Sequence, residues 1–205
     1  AYRVKKACGF EVVWGPIRAE DIRSFLEAGL KVDRSMRVVR FGLWDRLVLT
    51  PIELTQVIKP ALLALVAIFI FSGVGPEIFS FGQAWSRGLV AALSLVAAVL
   101  TGALLAPVLL PWIPGRAFSI KGALTGLIGA ALVLSALWGR YEWMQGLALV
   151  LMGVALSSYL TMNFTGSTPF TSPSGVEKEM RRALPLQALA LLAAAVLWIA
   201  APFVG

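Results

Sequence analysis

Five long apolar runs dominate this chain and leave few folds open to it. They cover residues 57–75, 89–111, 122–138, 146–164 and 186–204. Each reaches the roughly 17 residues that a helix needs to cross a bilayer. None contains Asp, Glu or Arg, and the one lysine, Lys59, lies at an end where its stem can reach the headgroups. A water-soluble helical core needs polar helix faces, and these runs have almost none. Composition agrees: 14% of the residues are charged and mean hydropathy is +0.82, against about 25% charged residues in a soluble domain. The fold class that follows is membrane α-helical, with five transmembrane helices in a domain over 57–205.

The basic residues orient these helices. Eleven of the 18 Lys and Arg residues lie in 1–59, Arg116 and Lys121 lie in the second loop, and Lys178, Arg181 and Arg182 in the fourth. Only Arg87 and Arg140 fall on the opposite side. The positive side is expected in the cytoplasm. That places the protein in the cytoplasmic (inner) membrane, its N-terminal part inside and its C-terminus outside, with the lipid bilayer as its first partner. Trp85, Trp138, Trp143 and Trp198 are expected at the outer interface as an aromatic belt. In "GALTGLIGA", Gly122, Gly126 and Gly129 give small-residue spacing, read as packing within the bundle in preference to a dimer seam. Pro107 and Pro111 are expected to kink or end the second helix.

Much chemistry is excluded. The chain has no histidine and one cysteine, Cys8. Histidine-based acid–base or metal chemistry, an internal disulfide and a multi-cysteine cluster are therefore absent from it. With no charge inside the runs, an ion-coupled pump is disfavoured, and nothing points to nucleic acid.

Residues 1–56 have a different character. The spacing predicts a strand over 10–14, a turn at Gly15-Pro16, a short amphipathic helix with Ile22, Phe25 and Leu26 on one face, and strands over 36–41 and 46–50. That order is the C-terminal end of an α/β domain. It is too short to bury a good core alone, so the chain reads as part of a longer protein. Gly15, Pro16, Arg18 and Ala19 stand where open α/β sheets place ligands, with a helix start for a phosphate. A plain tight turn with a solvated arginine is the other reading.

"FTGSTPFTSPSGVEKEM" (164–180) interrupts the apolar pattern with hydroxyls. Its end fits a capping box from Ser174 to Glu177, or a register with Ser172 as cap and Pro173 first in the helix. The helix is expected to stop before Pro185 and to lie in the headgroup layer, with Glu177 and Arg181 paired. Thr165, Ser167, Thr168, Thr171 and Ser174 read either as a polar loop bonding its own backbone or as a docking surface for a partner or domain.

"VKKACGFEVVWGPIRAEDIRSFLEAGLK" followed by "MRVVRFGLWDRLVLTPIEL" resembles the end of the corrinoid-binding domain in the mercury-methylation corrinoid protein (HgcA) family. That domain is related to the corrinoid iron–sulfur protein of the acetyl-CoA pathway. In that family the segment leads into five membrane helices, and "FTGSTPFTSPSGVEKEM" is similar to its loop before the last one. The resemblance implies a membrane-anchored corrinoid (cobalamin-type) methyl carrier that passes a methyl group to Hg(II). It also implies a ferredoxin-like partner with two [4Fe–4S] clusters and a methyl donor protein of unknown identity. The family's cobalt-ligating cysteine lies in an "N-[VI]-W-C-A-[AS]-G-K" cap helix, a pattern not found in these 205 residues. No catalytic residue or metal ligand is therefore assigned in this chain, and Cys8 reads as a small buried residue. Gly15, Pro16, Arg18 and Ala19 would be the last layer of the corrinoid pocket. Two other readings stay open: a corrinoid methyl carrier of one-carbon metabolism, and a membrane assembly module without cofactor.

The orientation makes a testable prediction. Membrane-impermeant labels on single cysteines at Ser119 and Thr168 should react only from the cytoplasmic side, and one at Tyr141 only from outside. A Tyr141 label reacting from the cytoplasm would break the five-span topology.

Overall fold

The computed structural model describes residues 2–38, 41–164 and 173–204. The chain divides into two units, 1–42 and 43–205.

The first unit holds helix α1 (Tyr2–Cys8), a 3-10 turn (Ala19–Asp21), helix α2 (Ile22–Glu27) and a second 3-10 turn (Ser35–Arg37). No strand occurs among its described residues, which corrects the expected strand over 10–14. A strand needs a neighbour to take its backbone hydrogen bonds, and here the backbone of 10–14 is irregular. Ile17 N–H donates to Met36 O across this unit at 3.1 Å. Val39 and Arg40, in the strand expected over 36–41, lie outside the described residues. Gly9, at φ +74°, ends α1 by turning its N–H onto Lys5 O. Phe25 is the buried apolar residue of this unit, while Phe10, Val13, Trp14 and Ile17 are exposed. Ser35 Oγ donates to Asp33 Oδ2 at 2.7 Å and, with nearby backbone N–H groups, holds the Asp33 carboxyl below the usual carboxylate range.

The second unit is a helical bundle. It comprises α3 (Leu43–Gly73), a two-residue hairpin (β1 Val74–Gly75, β2 Ile78–Phe79), α4 (Phe81–Val99), a π turn (Leu100–Leu105), α5 (Ala106–Leu109), α6 (Phe118–Ala136), α7 (Trp143–Asn163) and α8 (Pro173–Val204). The stretch from α4 to α5 is one continuous span, so among the described residues five helices are long and apolar enough to cross a membrane. This is a membrane protein. The connection at 110–117 and the start of α8 lie at what we term the basic end, with Arg116, Lys121, Lys178, Arg181 and Arg182. Trp85, Trp138 and Trp143 lie toward the opposite, tryptophan end and are exposed.

Three expectations change. Residues 46–50 are helical, because α3 starts at Leu43 and runs 31 residues. At 1.5 Å per residue it is about 46 Å long, well beyond the hydrocarbon thickness of about 30 Å. "RLVLT" looked like a strand because its apolar residues face outward. The buried positions are Arg46, Thr50 and Glu53, at helical spacing but polar. The two compact units divide between Gly42 and Leu43. Second, α8 runs through Pro185 without a break. Proline is tolerated inside a membrane helix when other groups take the freed carbonyl. Its start at Pro173 matches the register with proline first, and the Glu177–Arg181 pair forms at 2.8 Å. Third, Trp198 is buried, unlike the other three tryptophans of the expected belt.

The glycines of α6 pack inside the bundle, as expected. A Cβ on Gly122 would stand 2.5 Å from Thr161 Oγ1 and 2.6 Å from Ser157 O; one on Gly126 would stand 2.6 Å from Gly153 O. Backbones approach this closely only where side chains are missing. Hydroxyls fill the same seam: Ser157 Oγ meets Thr101 Oγ1 and Thr125 Oγ1, each at 3.3 Å. The π turn before Pro107 breaks the helical ladder, and Thr161 Oγ1 donates to Gly102 O there, at 3.0 Å. We expect Gly122→Ala to destabilise the bundle by about 1–3 kcal/mol through overpacking. Gly82→Ala, which meets only Ser80 Oγ at 3.8 Å, should leave stability unchanged. Unfolding in mixed micelles measures both.

Candidate functional site

Besides the hydroxyls of the seam, buried cations stand toward both ends of the bundle. At the tryptophan end the organising residue is Arg87, on α4. Its Nη1 donates to Ser72 O at 3.0 Å and Val74 O at 3.3 Å, and its Nη2 donates to Trp198 O. Two of these carbonyls are free for a reason visible in the sequence. The residues four ahead of Ser72 and Trp198 are Pro76 and Pro202, which have no N–H to give. The guanidinium also lies 5.1 Å from the centre of the Trp198 ring, whose Nε1 donates to Ser72 Oγ at 3.0 Å. One cation thus ties α3, α4 and α8 together.

The basic end uses the same device. Lys121 Nζ donates to Leu110 O, and Pro114 stands four residues beyond Leu110. Arg46 Nη1 donates to Val108 O at 2.5 Å and lies 5.5 Å from the Trp112 ring. That carbonyl is open because Trp112 N–H bonds to Leu109 O instead. The five apolar runs hold no Asp, Glu or Arg, but α3 and α4 begin ahead of their runs, and Arg46, Glu53 and Arg87 are buried in those extensions. The hydropathy pattern gave no sign of their burial, because each lies outside the apolar runs.

Two cavities open near the basic end. One, of about 320 Å³, lies between α3, α4 and α7 and is lined by Glu53, Gln56, Tyr159 and Asn163 among apolar residues. The other, of about 620 Å³, lies between α6, α7 and α8. Its polar wall is a chain. Glu179 accepts from Ser119 N–H at 2.6 Å, next to the start of α6. Ser158 Oγ donates to Ser119 O at 2.8 Å and accepts from Gln187 Nε2 at 2.8 Å. Sequence reasoning missed Gln187, although a lone amide inside an apolar run is a legible signal.

The residues singled out from the sequence fare differently. Thr165, Ser167, Thr168 and Thr171 lie outside the described residues. Ser174 sits in the first turn of α8. Gly15, Pro16, Arg18 and Ala19 form an open turn. A Cβ on Gly15 would meet only Phe25 Cε1 at an ordinary 3.8 Å, so no close approach demands glycine. The Arg18 guanidinium is 3.9 Å from Glu20, and Glu20 and Asp21 occupy the first turn where a phosphate would have to sit. These residues do not fit a corrinoid phosphate as they stand. Cys8 is exposed at the end of α1, where it was expected to be buried.

Compared with protein-family models, curated proteins and solved structures, the chain finds no match. We expect Arg87→Lys to cost about 2 kcal/mol, as expected for losing charge-assisted hydrogen bonds, because an ammonium cannot span carbonyls from two helices. Arg140→Lys, an exposed change at the same end, should cost nothing measurable in the same unfolding assay.

Proposed function

We propose that this chain is the membrane-embedded C-terminal part of a corrinoid protein that transfers a methyl group to Hg(II), forming methylmercury. The observation that carries the reading is the order of its segments. "VKKACGFEVVWGPIRAEDI" precedes "RLVLTPIEL", which enters the first of five membrane helices, and a hydroxyl-rich loop precedes the last. What the fold adds in support is continuity: "RLVLTPIEL" belongs to the same unbroken helix, α3, as the first span. The exposed Phe10, Val13, Trp14 and Ile17 are also the apolar surface that the end of a larger domain would bury.

In this reading the corrinoid and its thiolate ligand are held by residues beyond these 205, since Gly15–Ala19 offers no phosphate cradle. The positive side of the membrane domain faces the cytoplasm, where a ferredoxin-like partner with two [4Fe–4S] clusters reaches the cobalt. The five helices hold the carrier at the membrane. No residue of this chain takes part in breaking the cobalt–carbon bond.

The test is to express the gene with its upstream coding sequence and the ferredoxin-like partner in an anaerobic host, then assay corrinoid retention and methylmercury formation. Both are expected. Cys8→Ser should keep full activity, whereas replacing an upstream Trp-Cys cap cysteine should abolish it. Corrinoid retention with methyl transfer only to a pterin or acetyl-CoA-type acceptor would replace mercury with one-carbon metabolism. A protein that retains no corrinoid would leave an assembly module.

A further inference from the structure

The 620 Å³ cavity between α6, α7 and α8 has three properties that belong together. Its volume lies within the roughly 300–1,000 Å³ of ordinary ligand sites. Its body is apolar, with Ile120, Val154 and Leu186 on three different helices. Its basic side carries Lys178 and Arg182, both exposed and neither with a carboxylate partner among the described residues. Of the nearby acids, Glu177 is paired with Arg181, while Glu179 accepts from Ser119 N–H and keeps its charge, so the cavity lining holds two cations against one carboxylate.

The polar wall is also incomplete. Ser158 has one hydroxyl proton and gives it to Ser119 O. It can therefore only accept from Gln187, which fixes that amide with Nε2 toward Ser158. Gln187 is 7% exposed, and its Oε1 is left buried without a partner. Turning the amide over would place two acceptors together and gain nothing. A buried acceptor left without a donor forfeits its hydration and gets nothing in return, so the site calls for one more donor.

We propose that this cavity binds an anionic phospholipid, its phosphate held by Lys178 and Arg182 and one acyl chain lying along Ile120, Val154 and Leu186. The charge pattern selects the occupant. An apolar cleft whose mouth carries Lys178 and Arg182 against the single carboxylate of Glu179, and so a net positive charge, complements a molecule with a long apolar body and an anionic head. A zwitterionic phospholipid gains less there, because its own ammonium is repelled. A free anion gains nothing from the apolar body. Water carried in at the glycerol level of the lipid donates to Gln187 Oε1, completing the wall. The inference is independent of corrinoid or mercury chemistry and holds for any role of the membrane domain.

Native mass spectrometry of the full chain released from nanodiscs tests it, with equimolar phosphatidylglycerol and phosphatidylcholine as the probes. We expect phosphatidylglycerol to be retained on the order of tenfold more, because two basic residues act together on one anionic headgroup. Lys178→Gln with Arg182→Gln should erase that preference, whereas Arg140→Gln, at the far end, should keep it. Because Lys178 and Arg182 are exposed, their replacement leaves the fold intact. Ala183→Leu, which narrows the cavity without changing charge, should lower retention of both lipids. Equal retention of the two lipids by the unaltered chain would overturn the proposal. So would a preference that survives the double substitution, or equal displacement of the lipid by millimolar inorganic phosphate.

Discussion

Arg87 and the carbonyls around it hold the tryptophan end of the bundle together, and the reason is proline. Pro76 and Pro202 each withhold the N–H that a carbonyl four residues back would need. In water such a carbonyl is solvated at no cost; near a bilayer it must be paired within the protein. Arg87 reaches Ser72 O, Val74 O and Trp198 O from one fixed fork. Lysine has no such planar array of donors. The prolines therefore create the demand that a buried cation meets. Lys121 and Leu110 O, beside Pro114, repeat the arrangement at the other end. Arg87 and Lys121 are thus paired with helix-end carbonyls.

Between the two ends, small residues set the spacing. Gly122, Gly126 and Gly153 bring α6 and α7 to backbone contact, and Ser157, Thr125, Thr101 and Thr161 fill the seam with hydroxyls. Lipid supplies no hydrophobic force to press helices together, so close packing and hydrogen bonds carry the association. The π turn at Leu100–Leu105 lies in the same seam. Its irregular ladder is tolerated where Thr101, Gly102 and Ala103 are buried, because Thr161 Oγ1 takes up the Gly102 carbonyl.

This architecture suits a platform more than a transport path. The buried charges lie near the ends, Arg46 and Arg87 are engaged by carbonyls, and the polar residues of the seam bond to each other. The cavities sit near the basic end. The proposed role as anchor of a methyl carrier asks no more of the bundle than to hold a cytoplasmic domain at the membrane.

The sequence by itself determined the number of helices, their approximate spans and the glycine packing of α6. Length, apolar composition and small-residue spacing are local properties, and the bilayer admits few structures that satisfy them. It also carried the Glu177–Arg181 pair, a one-turn contact within a helix. The tertiary structure decided what burial does to polar side chains. Arg46, Thr50 and Glu53 form the buried face of α3, and a chain read by hydropathy puts them outside. Residues 46–50 became helix and not strand because that polar face found Val108 O and Trp112 more than 60 residues away. Trp198 became core because Arg87 lay opposite it, and Gln187 became the edge of a cavity because α6 and α7 meet there. In each case the partner is distant in sequence, so nothing local announces it.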